Sequence, residues 1–140
     1  MALDPRYQRQ ALLPSIGEDG QRRLSASAAL IVGCGALGSV AAELLARAGV
    51  GRVVVVDRDV VERTNLHRQV LFDEADAAEA LPKAEAVRRK LAAINSAIDI
   101  DAHVADFSPA NAESLADGCG VLVDGTDNFA ARGAISRAAV

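Results

Sequence analysis

Residues 28–38, Ala-Ala-Leu-Ile-Val-Gly-Cys-Gly-Ala-Leu-Gly, combine an aliphatic run with a glycine-rich turn. The first five residues are typical of a strand buried on both faces. The GxGxxG pattern then stands directly after that strand and directly before a helix, which is the context that makes it informative. Glycines there permit a tight turn and close approach to a phosphate, and the helix N-terminus favours negative charge. We therefore predict a nucleotide-binding turn built from Gly33, Gly35, Ala36 and Gly38, in which Gly38 also lets helix and strand pack closely.

The residues that follow continue the alternation of strand and helix. Apolar residues spaced three and four apart predict an amphipathic helix that ends at Gly49 or Gly51 and packs its apolar stripe on the core; the stripe is Leu37, Val40, Ala41, Leu44, Leu45 and Ala48. Residues 53–56 predict a second buried strand, so that strand, helix and strand form a right-handed βαβ unit. Residues 58–81 have no clear period and are interpreted as a long loop of the functional or mobile kind.

Later segments extend this pattern. Residues 98–104 and 121–124 predict two more strands, and 83–94 and 130–140 predict helices. Ser108 and Pro109 are a typical N-cap and first helical residue, with Gly118 as the stop. The predicted fold is α/β and Rossmann-like: a mostly parallel sheet with helices on both faces, truncated after the fourth strand.

Composition limits the class of protein. A chain of 140 residues suits one domain, and because 51% of it is hydrophobic but only 3% aromatic, the core is expected to be aliphatic. The net charge of −4, with charges of both signs interspersed, does not suggest nucleic-acid binding or docking on an anionic membrane. The sequence shows neither a signal peptide nor an apolar run of membrane-spanning length, so we expect a cytoplasmic protein. Cys34 and Cys119 are expected to be free thiols.

An acidic residue follows the second strand. Asp57 stands where a carboxylate can accept hydrogen bonds from both ribose hydroxyls, although such a residue can also cap a helix or solvate a loop. Asp59 is a second, less specific candidate. With the glycine turn, these residues indicate a nucleotide with a ribose, and they fit an NAD-dependent dehydrogenase as well as an ATP enzyme.

Several further polar residues favour ATP. Arg68 offers a planar cationic fork and Lys83 a mobile point charge, which a reacting triphosphate needs more than a dinucleotide does. Asn65 and Gln69 can donate hydrogen bonds to phosphate or ribose oxygens. Judged one at a time, the two cations are also compatible with ordinary surface charge.

The turn after the fourth strand carries Asp127 and Asn128 at the sheet edge where open α/β folds bind ligands. Asp127 is a candidate Mg²⁺ ligand, because magnesium sites use one or two carboxylates together with substrate phosphates. It can also cap the helix that begins at Asn128, and the two roles are compatible.

Taken in order, these motifs resemble the MoeB/ThiF adenylyltransferases of molybdopterin and thiamine biosynthesis, relatives of ubiquitin-activating enzymes. The resemblance runs from Arg6 to the last residue, with mild departures at Thr64 and His67. Its motifs are the segment 6–10, the glycine turn, Ala48-Gly49-Val50-Gly51, Asp57-Arg58-Asp59, Thr64-Asn65-Leu66-His67-Arg68-Gln69, Pro82-Lys83 and Thr126-Asp127-Asn128.

The resemblance implies a role for each matching residue. Asp57 would hold the ribose and Asp127 the metal. Arg9 would enter the active site of a neighbouring subunit, which implies a homodimer. The phosphates would lie against Asn65, Arg68, Gln69 and Lys83.

The resemblance also implies Mg²⁺-ATP-dependent adenylation of the C-terminal glycine of a ubiquitin-like sulfur-carrier protein. Alternatives are an NAD-dependent oxidoreductase domain, a family member that adenylates a small molecule or a modified tRNA base, and a non-catalytic partner. The chain stops inside a predicted helix. We therefore expect residues 1–140 to be a single ATP-binding adenylyltransferase domain, and to be a fragment that lacks the C-terminal half of the enzyme and is inactive alone. Any catalytic cysteine or Zn²⁺ site would lie in that missing half.

Overall fold

The chain alternates strands and helices along its length, and a computed structural model describes residues 2–140. Short 3-10 turns span Pro5–Tyr7 and Arg63–Asn65. The strands are β1 (Ala28–Val32), β2 (Arg52–Val56), β3 (Asp99–His103) and β4 (Val121–Asp124). The helices are α1 (Gln8–Ala11), α2 (Gly17–Ser25), α3 (Ala36–Ala48), α4 (Glu74–Ala78), α5 (Lys83–Ile94), α6 (Ala112–Ala116) and α7 (Phe129–Ala138).

All four strands form one parallel sheet in the order β3-β2-β1-β4. The chain moves outward from β1 to β2 and β3, and then crosses through α6 to place β4 on the other side of β1. The direction of winding therefore reverses at β1, and open α/β sheets bind ligands at the carboxyl ends of the strands beside such a reversal. The Rossmann-like fold predicted from the sequence is confirmed.

Two hydrophobic cores cover the two faces of the sheet. Side chains alternate between the faces of a strand, so Ile31 and Val55 pack towards α3 and α5, whereas Leu30 and Val54 pack towards α6 and α7. All four of these strand side chains are fully buried. The predicted aliphatic core with helices on both faces is therefore confirmed.

The predicted packing face of α3 is only partly correct, because Leu45 of the predicted stripe packs against the core but Leu37 and Leu44 do not. The residues that α3 buries are small, namely Gly38, Ser39, Ala42 and Ala46. Leu37 and Leu44 of the predicted stripe instead remain 74% and 62% exposed. The physical reason is the close approach of α3 to the end of β1 at Gly38, which leaves room only for small side chains beneath the first turns of the helix. The predicted stop is correct, since Gly49 ends α3 with a φ of +84°.

Two other sequence predictions need correction. Helix α6 begins at Ala112 rather than near Ser108, because Asn111 Oδ1 accepts the Ser108 N–H at 2.9 Å and holds residues 108–111 in a turn. The segment 58–81 is not an unstructured loop, since it contains a 3-10 turn and α4. It is anchored by buried apolar side chains: Val61, Leu71, Phe72 and Leu81.

The N-terminal segment is docked on the rest of the domain. Tyr7 is buried, and its hydroxyl accepts a 2.9 Å hydrogen bond from Nδ2 of Asn95, which also donates to the Ala46 carbonyl. A Cβ on Gly49 would lie 2.5 Å from the Tyr7 ring, so glycine is required there. No helix within residues 2–140 has both the length and the apolar character needed to cross a bilayer.

Candidate functional site

The glycine turn is closed by backbone-to-backbone packing. A Cβ on Gly38 would lie 1.6 Å from the Gly33 carbonyl oxygen, and one on Gly125 would lie 2.6 Å from the same oxygen. Gly33 also has a φ of +89°, which side-chain-bearing residues rarely adopt. By contrast, a Cβ on Gly35 would meet only Gln69 Nε2 among the atoms of residues 2–140, at 3.7 Å. Gly33, Gly38 and Gly125 therefore fix the turn, and Gly35 presents its backbone to open space.

The Asp57 carboxylate bridges the glycine turn and the segment after β2. Its Oδ2 accepts the Cys34 backbone N–H at 2.7 Å, and its Oδ1 accepts the Asp59 backbone N–H at 2.7 Å. Each carboxylate oxygen can accept further hydrogen bonds. Asp57 thus lies where the ribose prediction needs it, with its orientation fixed by two backbone donors.

Asn65 and Arg68 approach the glycine turn from the segment after β2. Asn65 is buried, and its Oδ1 accepts the Glu62 N–H at 2.8 Å, which caps the 3-10 turn. The Asn65 amide nitrogen donates no hydrogen bond within residues 2–140, so that donor is left for a ligand. Arg68 donates from Nη1 to the Thr64 carbonyl at 2.8 Å, and this bond aligns the exposed guanidinium.

Lys83 is a buried cation at the first residue of α5, with 7% of its surface exposed. Its backbone N–H donates to the Asp59 carbonyl at 2.8 Å, and its Nζ lies 4.0 Å from Asp59 Oδ2. Within residues 2–140 the Lys83 ammonium has no closer anionic partner than this carboxylate. Burying a charge with weak compensation is costly, so Lys83 is suited to an anionic ligand.

Gln69 carries a buried acceptor. The side chain is 4% exposed, and its Oε1 has no hydrogen-bond partner within residues 2–140. A buried carbonyl without a donor costs about 1–3 kcal/mol. A donor supplied by a ligand or by water in the cleft removes that cost.

The turn after β4 forms the opposite side of the site. Asp124 Oδ1 accepts from the backbone N–H of Thr126 at 2.9 Å and from its hydroxyl at 2.6 Å. Asn128 caps α7 by accepting the Ala131 N–H at 2.7 Å. Asp127 therefore does not cap the helix, which was the alternative role considered for it.

These groups line one open cleft of about 1140 Å³ at the carboxyl ends of the strands. Of the predicted site residues, Gly38 lies beneath the turn and Arg9 lies outside the cleft on exposed α1. The predicted residues that do line the cleft are Gly33, Gly35, Ala36, Asp57, Asp59, Asn65, Arg68, Gln69, Lys83, Asp127 and Asn128.

Sequence reasoning missed several lining residues. Asp106 and Phe107 follow β3, and because they lie beyond the end of a parallel strand, their position was a usable signal. Arg58 pairs with Asp106 at 3.2 Å across the end of the sheet. Arg132, in the first turns of α7, also faces the cleft, and only the three-dimensional arrangement reveals it.

The cleft fits a triphosphate better than it fits a metal alone. No group of three or more His, Cys, Asp or Glu side chains within residues 2–140 is arranged to hold a metal ion. Buried Lys83, the fork of Arg68 and the free backbone at Gly35 suit phosphate oxygens. Asp127 would be the protein carboxylate for Mg²⁺, since this ion is commonly held by one or two carboxylates plus substrate phosphates.

The two cysteines are both free, as predicted. Cys34 is fully buried within the glycine turn, and this burial raises the pKa of its thiol. Cys119 is partly buried and packs against the core beneath α6 and α7. His67, one of the two departures from the family pattern, is exposed.

Comparison with known proteins identifies a family and several relatives of the chain. The ThiF family model matches residues 7–140. The chain is 45% identical over 135 residues to the sulfur carrier protein ThiS adenylyltransferase of Bacillus subtilis, covering 96% of this chain and 40% of that protein. It is 41% identical over 135 residues to the sulfur carrier protein adenylyltransferase of Thermus thermophilus, covering 96% and 49%. The chain thus spans less than half the length of these curated relatives.

Solved structures show the same fold. The tRNA N6-threonylcarbamoyladenosine dehydratase TcdA of E. coli superposes with a TM-score of 0.86 at 28% identity, covering 94% of this chain and 54% of TcdA. The TcdA structure in complex with ATP also gives a TM-score of 0.86, at 26% identity, covering 96% and 56%. The family resemblance predicted from the motifs is confirmed: the chain belongs to the ThiF family.

Proposed function

We propose that the protein uses Mg²⁺-ATP to adenylate the C-terminal glycine carboxylate of a small ubiquitin-like sulfur-carrier protein. The observation that carries this proposal is the pair of cations, Arg68 and buried Lys83, that lines the cleft with the open backbone of Gly35. The relatives that are 41% and 45% identical are both named as sulfur-carrier adenylyltransferases. The ATP complex of TcdA supports the choice of nucleotide.

The proposed reaction joins two anions. The carboxylate attacks the α-phosphorus of ATP, a C–O–P bond forms, and pyrophosphate leaves, which gives an acyl-adenylate. A terminal carboxylate is ionised at neutral pH, so the attack needs no general base. The protein's contribution is positioning and charge neutralisation.

Six of the residues that line the cleft divide that task. Asp57 accepts hydrogen bonds from the ribose and so fixes the nucleoside end. Arg68 and Lys83 neutralise the phosphates, and Asn65 and Gln69 bond to phosphate or ribose oxygens. Mg²⁺, held by Asp127 and the phosphates, would offset charge as pyrophosphate departs.

Two alternatives receive less support. Hydride transfer with NAD needs no cationic clamp, whereas this cleft buries a lysine. Action on a modified tRNA base is suggested by the name of TcdA, a tRNA N6-threonylcarbamoyladenosine dehydratase, but its structures are only 26% and 28% identical, against 45% for the ThiS adenylyltransferase. A protein carboxylate is therefore the substrate class we favour.

Comparing a carrier protein that has a free C-terminal carboxylate with one that has a C-terminal amide tests this proposal. We expect the full-length protein to catalyse ATP–pyrophosphate exchange with a carrier ending in free Gly-Gly, and to lose the exchange when the terminal glycine is amidated, because an amide cannot attack the α-phosphorus. Exchange is measured with labelled pyrophosphate, and calorimetry compares Mg²⁺-ATP with NAD. Equal exchange with acid and amide forms, or tight NAD binding without ATP binding, would exclude the proposal.

We propose further that the active unit is a homodimer in which Arg9 acts on the neighbouring subunit. Arg9 is exposed on α1 and does not line its own cleft. Leu12 and Leu13, just beyond α1, are 80% and 53% exposed, so apolar surface lies close to Arg9. Apolar surface of this kind suits a symmetric interface.

Mixing inactive subunits tests this arrangement. Arg9→Ala and Arg68→Ala proteins are each expected to be inactive, but a mixed dimer keeps one complete site built from the intact Arg68 of one subunit and the intact Arg9 of the other. Random exchange of subunits would therefore restore about a quarter of the wild-type activity. Mixing two preparations of Arg68→Ala is the control. A mixture that stays inactive after verified subunit exchange would contradict action in trans.

A further inference from the structure

Arg132 ties the first turns of α7 to the turn that follows β4. Its Nη2 donates to the Thr126 carbonyl at 3.0 Å, and its Nε lies 3.4 Å from Asp124 Oδ2. Thr126 itself donates twice to the other oxygen of Asp124, from its N–H and from its hydroxyl. The Asp124 carboxylate is thus held from both sides, by Arg132 and by Thr126.

The same turn is fixed at its other points. The Gly125 N–H donates to the Val32 carbonyl at 2.8 Å, and Gly125 packs on the Gly33 carbonyl. Asn128 is engaged as the N-cap of α7. Asp127 is the exception, because its carboxylate makes no hydrogen bond or ion pair within residues 2–140 although it lines the cleft. The turn therefore presents one unpaired carboxylate from an immobilised backbone.

We propose that Arg132 is a positioning residue for the metal that Asp127 would hold, which rests on the function proposed above. Outer groups that orient a ligating carboxylate commonly change metal affinity about 10- to 100-fold when they are removed. Arg132 acts here through Asp124 and the Thr126 carbonyl, one residue before Asp127. Without it, the turn loses its link to α7 and Asp127 samples other orientations.

The decisive measurement is metal affinity, separated from nucleotide affinity. Mn²⁺ serves as a paramagnetic probe, and α,β-methylene-ATP serves as a nucleotide that cannot be cleaved at the scissile bond. We expect Arg132→Ala to raise the Kd of Mn²⁺ in the nucleotide complex about tenfold or more, while the Kd of metal-free α,β-methylene-ATP stays unchanged. Arg132→Lys keeps the ion pair with Asp124 and is expected to recover part of the Mn²⁺ affinity.

Two more variants make the outcome specific. Arg137→Ala removes a second arginine of α7 whose guanidinium makes no hydrogen bond or ion pair within residues 2–140, and it is expected to match the wild type. Thr126→Val removes only the hydroxyl bond to Asp124, and is expected to weaken Mn²⁺ binding in the same direction. It also serves as the test if Arg132→Ala does not fold, which urea denaturation would reveal.

The possible failures are distinguishable. Unchanged Mn²⁺ affinity in folded Arg132→Ala and Thr126→Val would overturn the positioning role and leave the proposed function intact. An equal loss of metal-free nucleotide affinity in Arg132→Ala would show that Arg132 touches the phosphates directly, which also overturns it. A wild-type protein that binds neither Mn²⁺ nor α,β-methylene-ATP would refute the proposed function, and this inference with it.

Discussion

In the full-length protein, Arg68→Ala and Asp127→Ala are each expected to lower the rate of ATP–pyrophosphate exchange by at least about 100-fold, a typical cost of losing one preorganised group that stabilises transition-state charge. Arg68→Ala removes a cationic fork that is aligned by its hydrogen bond to the Thr64 carbonyl. Asp127→Ala removes the one carboxylate that is proposed as a Mg²⁺ ligand. Neither side chain supports the core. Exchange is measured at saturating carrier, and urea denaturation checks that stability is unchanged.

Matched controls separate local chemistry from general charge. Arg63 begins the 3-10 turn that precedes Arg68 and is 77% exposed. Within residues 2–140 it pairs only with Glu74, outside the cleft. Arg63→Ala should therefore keep wild-type exchange. Asp127→Asn retains the shape of the side chain but removes its charge, and it should be as inactive as Asp127→Ala. Normal exchange in both alanine variants at positions 68 and 127 would refute the assignment of these residues.

Gly38→Ala is expected to destabilise the domain by about 3 kcal/mol or more, at or above the upper end of typical overpacking costs. Within a helix, alanine is ordinarily favoured over glycine by about 1 kcal/mol. That gain is outweighed here, because the new Cβ would lie 1.6 Å from the Gly33 carbonyl oxygen, a backbone atom that cannot rotate away. The measurement is the urea midpoint together with the m-value.

Gly120→Ala is the matched control for this substitution. A Cβ on Gly120 meets no atom within 4 Å, and its φ is not positive. Reduced entropy of the unfolded chain then makes Gly120→Ala neutral or stabilising by about 0.4–1 kcal/mol. A Gly38→Ala protein as stable as the wild type would show that the close contact between Gly38 and Gly33 does not constrain the fold.

The sequence predicted the sheet well because buried parallel strands leave a distinctive aliphatic signal. Residues 28–32 and 53–56 contain almost no polar side chain, and the glycine turn fixed their connection. Periodicity also located α3 correctly. It could not identify the packed face. The distance between α3 and β1 is set by the contact of Gly38 with Gly33, and this contact is visible only in the three-dimensional structure.

The candidate site likewise contains residues that could be predicted from the sequence and residues that could not. Residues directly after strands, such as Asp57 and Asp127, were predictable because parallel strands deliver their carboxyl ends to one edge. Arg68 and Lys83 were predicted from chemistry and family resemblance, and they line the cleft because the segment 58–81 folds back on buried apolar anchors. Arg132 was missed because an arginine inside a helix carries no positional signal of its own.

Asp57 has a consequence for anyone who would re-engineer the nucleotide preference of this protein. In dinucleotide-binding folds the acidic residue after the second strand accepts a hydrogen bond from the ribose, and a nearby arginine accommodates a 2′-phosphate instead. Here the same carboxylate also accepts the Cys34 N–H that closes the glycine turn. An exchange at Asp57 is therefore expected to alter the backbone of the glycine turn along with the proposed ribose contact, so that altered selectivity would demand compensating changes in both places.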